Sequence, residues 1–170
     1  MNDQTREQRW TPTPRSQAET AYELLTDIMQ VILEEPKRYN QGTWLEDYRL
    51  EDRTQREILA LNTPSCGTVA CVAGWAITLK YKDISGVRSQ WATAELARFL
   101  LGLSYDQATE LFDGDIIRGF VPGTLEYAQA GVRIIRAFRK KHEKQLKAYK
   151  IVKATDKRIE HVLFGWGEGI

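Results

Sequence analysis

The stretch Val69-Ala70-Cys71-Val72-Ala73-Gly74-Trp75-Ala76-Ile77-Thr78-Leu79 is apolar almost all round and dense in small residues. A helix with such a surface has no face to give to water. It needs neighbours on every side, and Ala70, Ala73 and Gly74 allow those neighbours to approach closely. This segment predicts a buried central helix over 68–79 and obliges the rest of the chain to build a shell around it.

The shell is legible as amphipathic helices. Ala21, Leu24, Leu25, Ile28, Val31 and Ile32 recur at helical spacing until Pro36 stops the run, and Ser16-Gln17-Ala18-Glu19 ahead of them has the spacing of a capping box. Trp91, Ala94, Leu96, Ala97, Leu100 and Leu101 mark a second helix, with Gly102 as its terminator. Ser104-Tyr105-Asp106-Gln107 offers another box, opening a short helix that ends near Leu111-Phe112. After the turn residues Pro122-Gly123, Thr124 caps a long helix whose stripe is Tyr127, Ala130, Ile134, Ile135 and Phe138, with polar character dominating to Lys150. A short helix is predicted at 54–61. The expected fold is all-α, a single-domain bundle of about five helices with no sheet of consequence.

At 170 residues, 42% hydrophobic and 28% charged, the chain has the size and balance of one globular domain. The expected organisation is a flexible N-terminal arm at 1–15, a helical domain at 16–164 and a flexible C-terminus at 165–170. No run of residues has the length and apolarity of a membrane span, the N-terminus has no apolar signal core, and only Cys66 and Cys71 occur, so a cytoplasmic protein is expected. The net charge of +1 conceals an asymmetry: residues 1–132 carry 13 Lys+Arg against 19 Asp+Glu, hence −6, and residues 133–170 carry 11 against 4, hence +7. A split of this kind serves either an anionic ligand or complementarity within the chain or between subunits, and a homo-oligomer stays open.

The most distinctive motif is Ser65-Cys66-Gly67-Thr68-Val69-Ala70-Cys71-Val72-Ala73-Gly74-Trp75. It resembles a group of uncharacterised phage, prophage and bacterial proteins that share a Cys-Gly-Thr-x-x-Cys-x-Ala-Gly signature. In that group an aromatic, acid-flanked segment precedes the signature, as Trp44-Leu45-Glu46-Asp47 does here, and a Leu-Gly-Leu…Leu-Phe segment follows, as Leu101-Gly102-Leu103 and Leu111-Phe112 do. The likeness spans residues 40–140 and implies no activity by itself.

Chemically, a Ser-Cys-Gly-Thr turn entering a helix presents unpaired amides and a hydroxyl at the positive end of the dipole, which suits phosphate or carboxylate. The alternative is that Ser65 or Thr68 merely caps a buried helix while both thiols pack as small hydrophobes. Cys66 as a nucleophile lacks a base, since His142 and His161 have no evident partner, and two cysteines five apart match no zinc spacing. No cofactor and no metal are expected. A nucleic-acid partner is not expected either: the short segment 105–110 that would have to read a groove is acidic.

Two functions are carried forward. The first is a non-enzymatic binding protein that captures a small anionic, nucleotide-like ligand, such as a host immune signalling molecule, as a counter-defence sponge. Its site would comprise Ser65, Cys66, Gly67 and Thr68, with Trp44 or Trp75 stacking on a base and Arg133 or Arg136 pairing with phosphate. The second is a protein-interaction module that inhibits or adapts a host complex.

Overall fold

The computed structural model describes residues 16–41, 46–47, 68–69, 71–80, 90–113 and 117–151. Their elements are α1 (Ala21–Glu34), a single 3-10 turn (Pro36–Arg38), β1 (Glu46–Asp47), β2 (Thr68–Val69), α2 (Val72–Lys80), α3 (Gln90–Leu101), α4 (Tyr105–Phe112), α5 (Leu125–Lys141) and α6 (Glu143–Ala148). The fold is all-α, and six α-helices are present among the described residues. The two strands are two residues each and pair antiparallel, Glu46 opposite Val69 and Asp47 opposite Thr68. The expected arms at 1–15 and 165–170 and the short helix at 54–61 lie outside the described residues.

Every residue from Val72 to Leu79 is buried, as the all-apolar surface of the segment requires. Helix α2 packs against α1, α3 and α4, and α1 in turn packs against α5 and α6. The main cluster draws Leu24, Leu25, Ile28 and Ile32 from α1, Leu96 and Leu100 from α3, and Ile135 and Phe138 from α5, all on the stripes that helical spacing marks out.

Helix starts follow side-chain chemistry, with one displacement. Ser104 and Gln107 form the expected box: the Gln107 amide donates to Ser104 Oγ at 3.2 Å and the Ser104 amide to Gln107 Oε1 at 2.9 Å. Thr124 caps α5 by accepting from the Tyr127 amide at 3.3 Å. Helix α1, however, starts at Thr20 rather than at Ser16: the Glu23 amide donates to Thr20 Oγ1 at 3.3 Å and the Thr20 amide to Glu23 Oε2 at 3.0 Å. Those backbone donors, Glu19 and Thr20, hold the Glu23 carboxyl below its ordinary pKa. Ser16 is engaged elsewhere: its hydroxyl donates to the Asp27 carboxylate and its amide to Leu79 O at 3.0 Å. The segment before α1 therefore serves the C-terminus of α2, where Lys80 Nζ also donates to Ala18 O at 2.8 Å.

Helix α3 ends as Gly102 predicts. With φ at +64°, the Gly102 amide reaches Phe99 O at 3.2 Å and the Leu103 amide reaches Arg98 O at 3.0 Å, the bond pair of a Schellman stop. The polar C-terminal stretch does not trail into solvent as one helix. It turns at His142, and α6 returns to α1 with Leu146 fully buried. Beyond it, Thr20 and Lys150 form an antiparallel bridge, with the Ala21 amide on Tyr149 O at 3.1 Å and the Ile151 amide on Glu19 O at 2.9 Å.

Candidate functional site

The signature segment does not open a helix at Thr68. Thr68 and Val69 are extended and paired to Asp47 and Glu46, and the helix begins four residues later. Cys71 occupies the position before it: its carbonyl accepts from the Trp75 amide at 2.9 Å, and its Sγ accepts from the Gly74 amide at 3.5 Å. The next orphan amide, on Val72, donates to Gln41 Oε1 at 3.3 Å. Thus the first-turn amides of Val72 and Gly74 are already served by a glutamine and a thiol of the same chain, and neither is left for an anion. The expected Thr68 helix start is corrected on this ground: the acceptors that fix the start stand at Cys71 and Gln41. Ser65, Cys66, Gly67 and Trp44 lie outside the described residues.

Gln41 is the hub of this junction. Its Oε1 also accepts from Tyr39 Oη at 3.1 Å, its Nε2 donates to Leu111 O at 2.9 Å, and its amide donates to Tyr127 Oη at 2.9 Å. One buried residue thereby joins the segment after the 3-10 turn to α2 and α4 through its side chain and to α5 through its backbone amide. The environment is dry: burial pushes the Cys71 thiol up to about 11 despite the helix amides that favour its thiolate, and burial raises the Tyr39 hydroxyl in the same direction. Cys71 is a neutral packing thiol at physiological pH.

Trp75 is a core residue. It is fully buried, its Nε1 donates to Arg38 O at 2.9 Å, and the Arg38 guanidinium lies 4.9 Å from the ring centroid. Arg38 is itself buried and pairs with Glu35 at 3.0 Å. The expected stacking role is corrected for a physical reason: the indole has no exposed face to offer a base.

Arg133 and Arg136 lie on the outer face of α5, both exposed. Arg133 belongs to an open groove of about 310 Å³ lined by Ile117, Arg118, Phe120, Ala130, Arg133, Ile134 and Ala137. The loop wall is set by the turn Val121-Pro122-Gly123-Thr124. There Gly123 has φ +84° and the Thr124 amide closes onto Val121 O at 3.3 Å, which meets the requirement of a type II turn for glycine at its third position. Phe120 and Val121 keep 43% and 69% of their surface exposed, which distinguishes them from the enclosed apolar residues of the core.

The structure therefore brings Arg133 and Arg136 together on one helix face and keeps Trp75 away from it, inside the core. Sequence reasoning missed Ile117, Arg118 and Phe120, reading that loop only as turn residues. The available signal was the run Ile116-Ile117-Arg118-Gly119-Phe120-Val121, too apolar for an ordinary surface turn. No group of His, Cys, Asp and Glu among the described residues could hold a metal, and no helix among them is long and apolar enough to cross a membrane. Comparison with protein-family models, with curated proteins and with solved structures finds no match for the chain.

Proposed function

We propose that the protein is a non-enzymatic protein-interaction module that engages a partner through the outer face of α5 and the loop before it. The observation that carries this reading is the groove itself. Apolar residues Ile117, Phe120 and Ile134 lie at the surface beside Arg118 and Arg133, with Val121 exposed next to them. Aromatic residues and arginine are the types that protein interfaces concentrate, and an open apolar patch is poorly shaped to enclose a small molecule. On the resemblance of the signature segment to phage and prophage proteins, the partner we propose is a host complex, inhibited or adapted by contact.

A second reading, capture of a nucleotide-like anion, is favoured by one specific feature: an exposed aromatic ring, Phe120, shares the groove with two guanidiniums. The two are separated by immobilising wild type and a Phe120→Asp variant and passing a bacterial lysate over both. A protein retained by wild type and lost by the variant supports the interaction module. Retention that ignores the substitution, together with thermal stabilisation of wild type by nucleotides or cyclic dinucleotides, overturns it in favour of the ligand.

A further inference from the structure

Six of the seven Lys and Arg residues of α5 and α6, all but the exposed Lys144, fall into two sets. Arg139 lies 4.5 Å from the Tyr22 ring centroid and donates to Thr26, Lys141 pairs with Glu110 at 3.1 Å, and Lys147 pairs with Glu143 at 2.7 Å while lying 4.8 Å from the same Tyr22 ring. These three are consumed by the fold. Arg133, Arg136 and Lys140, all exposed, make no side-chain hydrogen bond or ion pair among the described residues.

The second set is ordered. At i, i+3 and i+7 these cations share one face of α5 and extend about 10 Å along its axis. Ala130, Ile134 and Ala137 stand on the adjacent face and form the groove floor, and Arg133 belongs to both. A row of cations thus runs parallel to an apolar trough on a single helix. Glu126, two turns before Arg133 on the same row and also exposed, makes the row run from negative to positive.

We infer that this face docks an acidic amphipathic segment of a partner protein, with apolar side chains in the Ile117–Phe120–Ile134 trough and carboxylates against Arg133, Arg136 and Lys140. The inference rests on the protein-interaction reading above and supplies the chemistry of the partner. Guanidiniums at this spacing match carboxylates repeating at i, i+3 or i+4, and i+7 on a facing helix, and the fork of each arginine accepts a carboxylate with two parallel bonds. Single-stranded nucleic acid fits less well. Among the described lining residues Phe120 is the one ring available for stacking, and the rest of the apolar lining is aliphatic, which suits leucine-like side chains better than a run of bases.

The test titrates the full chain, labelled with nitrogen-15, with a synthetic peptide of about 14 residues that places Leu and Phe at helical spacing with Glu between them. Three controls accompany it: the same peptide with Gln for Glu, the same with Lys for Glu, and adenosine triphosphate. The acidic peptide is expected to shift amide resonances at 117–137. Its affinity should fall about fivefold or more in Arg133→Glu/Arg136→Glu and for the Gln peptide, and the doubly substituted protein should gain affinity for the Lys peptide. Circular dichroism melts confirm that the substituted protein is folded. Equal binding of Glu and Gln peptides overturns the acidic partner and leaves the docking face standing. Absence of shifts at 117–137 with every peptide overturns both, and shifts there with adenosine triphosphate alone replace both with the nucleotide reading.

Discussion

The start of α2 and the outer face of α5 treat their polar groups in opposite ways. At the α2 start, Cys71 Sγ takes the Gly74 amide, Gln41 Oε1 takes the Val72 amide, and Trp75 Nε1 is bonded to Arg38 O, all within the buried interior. On α5, the exposed Arg133, Arg136 and Lys140 make no side-chain hydrogen bond or ion pair among the described residues, beside apolar side chains that the core has not covered. The motif-dense region spends its hydrogen-bonding capacity on the fold, and the motif-poor region keeps it. A group already saturated by its own chain stabilises; an ordered group left unsatisfied is available for recognition.

Substitutions that break the comparison should separate stability from binding. The largest effect is expected from Trp75→Ala, which empties a fully buried site and deprives the Arg38 guanidinium of its ring: a loss of about 3–5 kcal/mol in urea-induced unfolding. A loss below about 1 kcal/mol would mean that the indole does not belong to the folded core. Gln41→Leu should follow at about 2–4 kcal/mol, because the Val72 amide and the Leu111 carbonyl both lose their buried partner. Stability within about 0.5 kcal/mol of wild type would return the start of α2 to a cap supplied by the signature segment.

The alkaline limb sharpens the same contrast. Burial raises the Cys71 thiol from 9.0 to about 11, so below pH 9 both folded and unfolded chains hold the proton and its contribution is intact. Between pH 9 and 11 the unfolded thiol ionises and the folded one does not, so stability falls, by about 2–3 kcal/mol from this group at the upper end. The raised Tyr39 and Tyr127 hydroxyls act in the same direction, and Cys71→Ala should flatten the limb between pH 9 and 11 relative to wild type. The smallest stability effect is expected at the other pole. Arg133→Ala and Arg136→Ala should each leave unfolding within about 0.5 kcal/mol of wild type and add in the double variant, whatever they do to binding. A large cost would place these arginines in the fold after all.

Helix existence was legible wherever one face is apolar at helical spacing, which is why α1, α3, α4 and α5 and the caps at Ser104 and Thr124 read directly from the residues. Boundaries failed where the deciding partner is remote. Gln41 serves an amide thirty-one residues away, so nothing near Thr68 announces that the helix waits until Val72. Ser16 and Thr20 both begin a capping-box pattern, and only the contact of Ser16 with Asp27 and Leu79 selects between them. Leu146 is a lone apolar residue in a charged stretch, too sparse a signal for a buried helix. Arg133 and Arg136 were legible as an exposed cationic pair, but their apolar companions come from a loop folded back on α5, an arrangement that no local pattern encodes.

The antiparallel bridge between Thr20 and Lys150 bears on how the protein is made. The segment that leads into α1 leaves the ribosome early, yet its backbone partners are Leu79, Tyr149 and Ile151. Until Tyr149 and Ile151 are synthesised, the start of α1 has its local box and its ties to the end of α2, but not the backbone bonds of Glu19 and Ala21. Closure of so long a loop gains these last backbone contacts only once residue 151 exists, so the start of α1 is expected to be fully fastened only after that point of synthesis. An arrest series that stalls synthesis on either side of residue 151 would find protease resistance of α1 appearing only in the longer products, once the ribosomal tunnel is cleared.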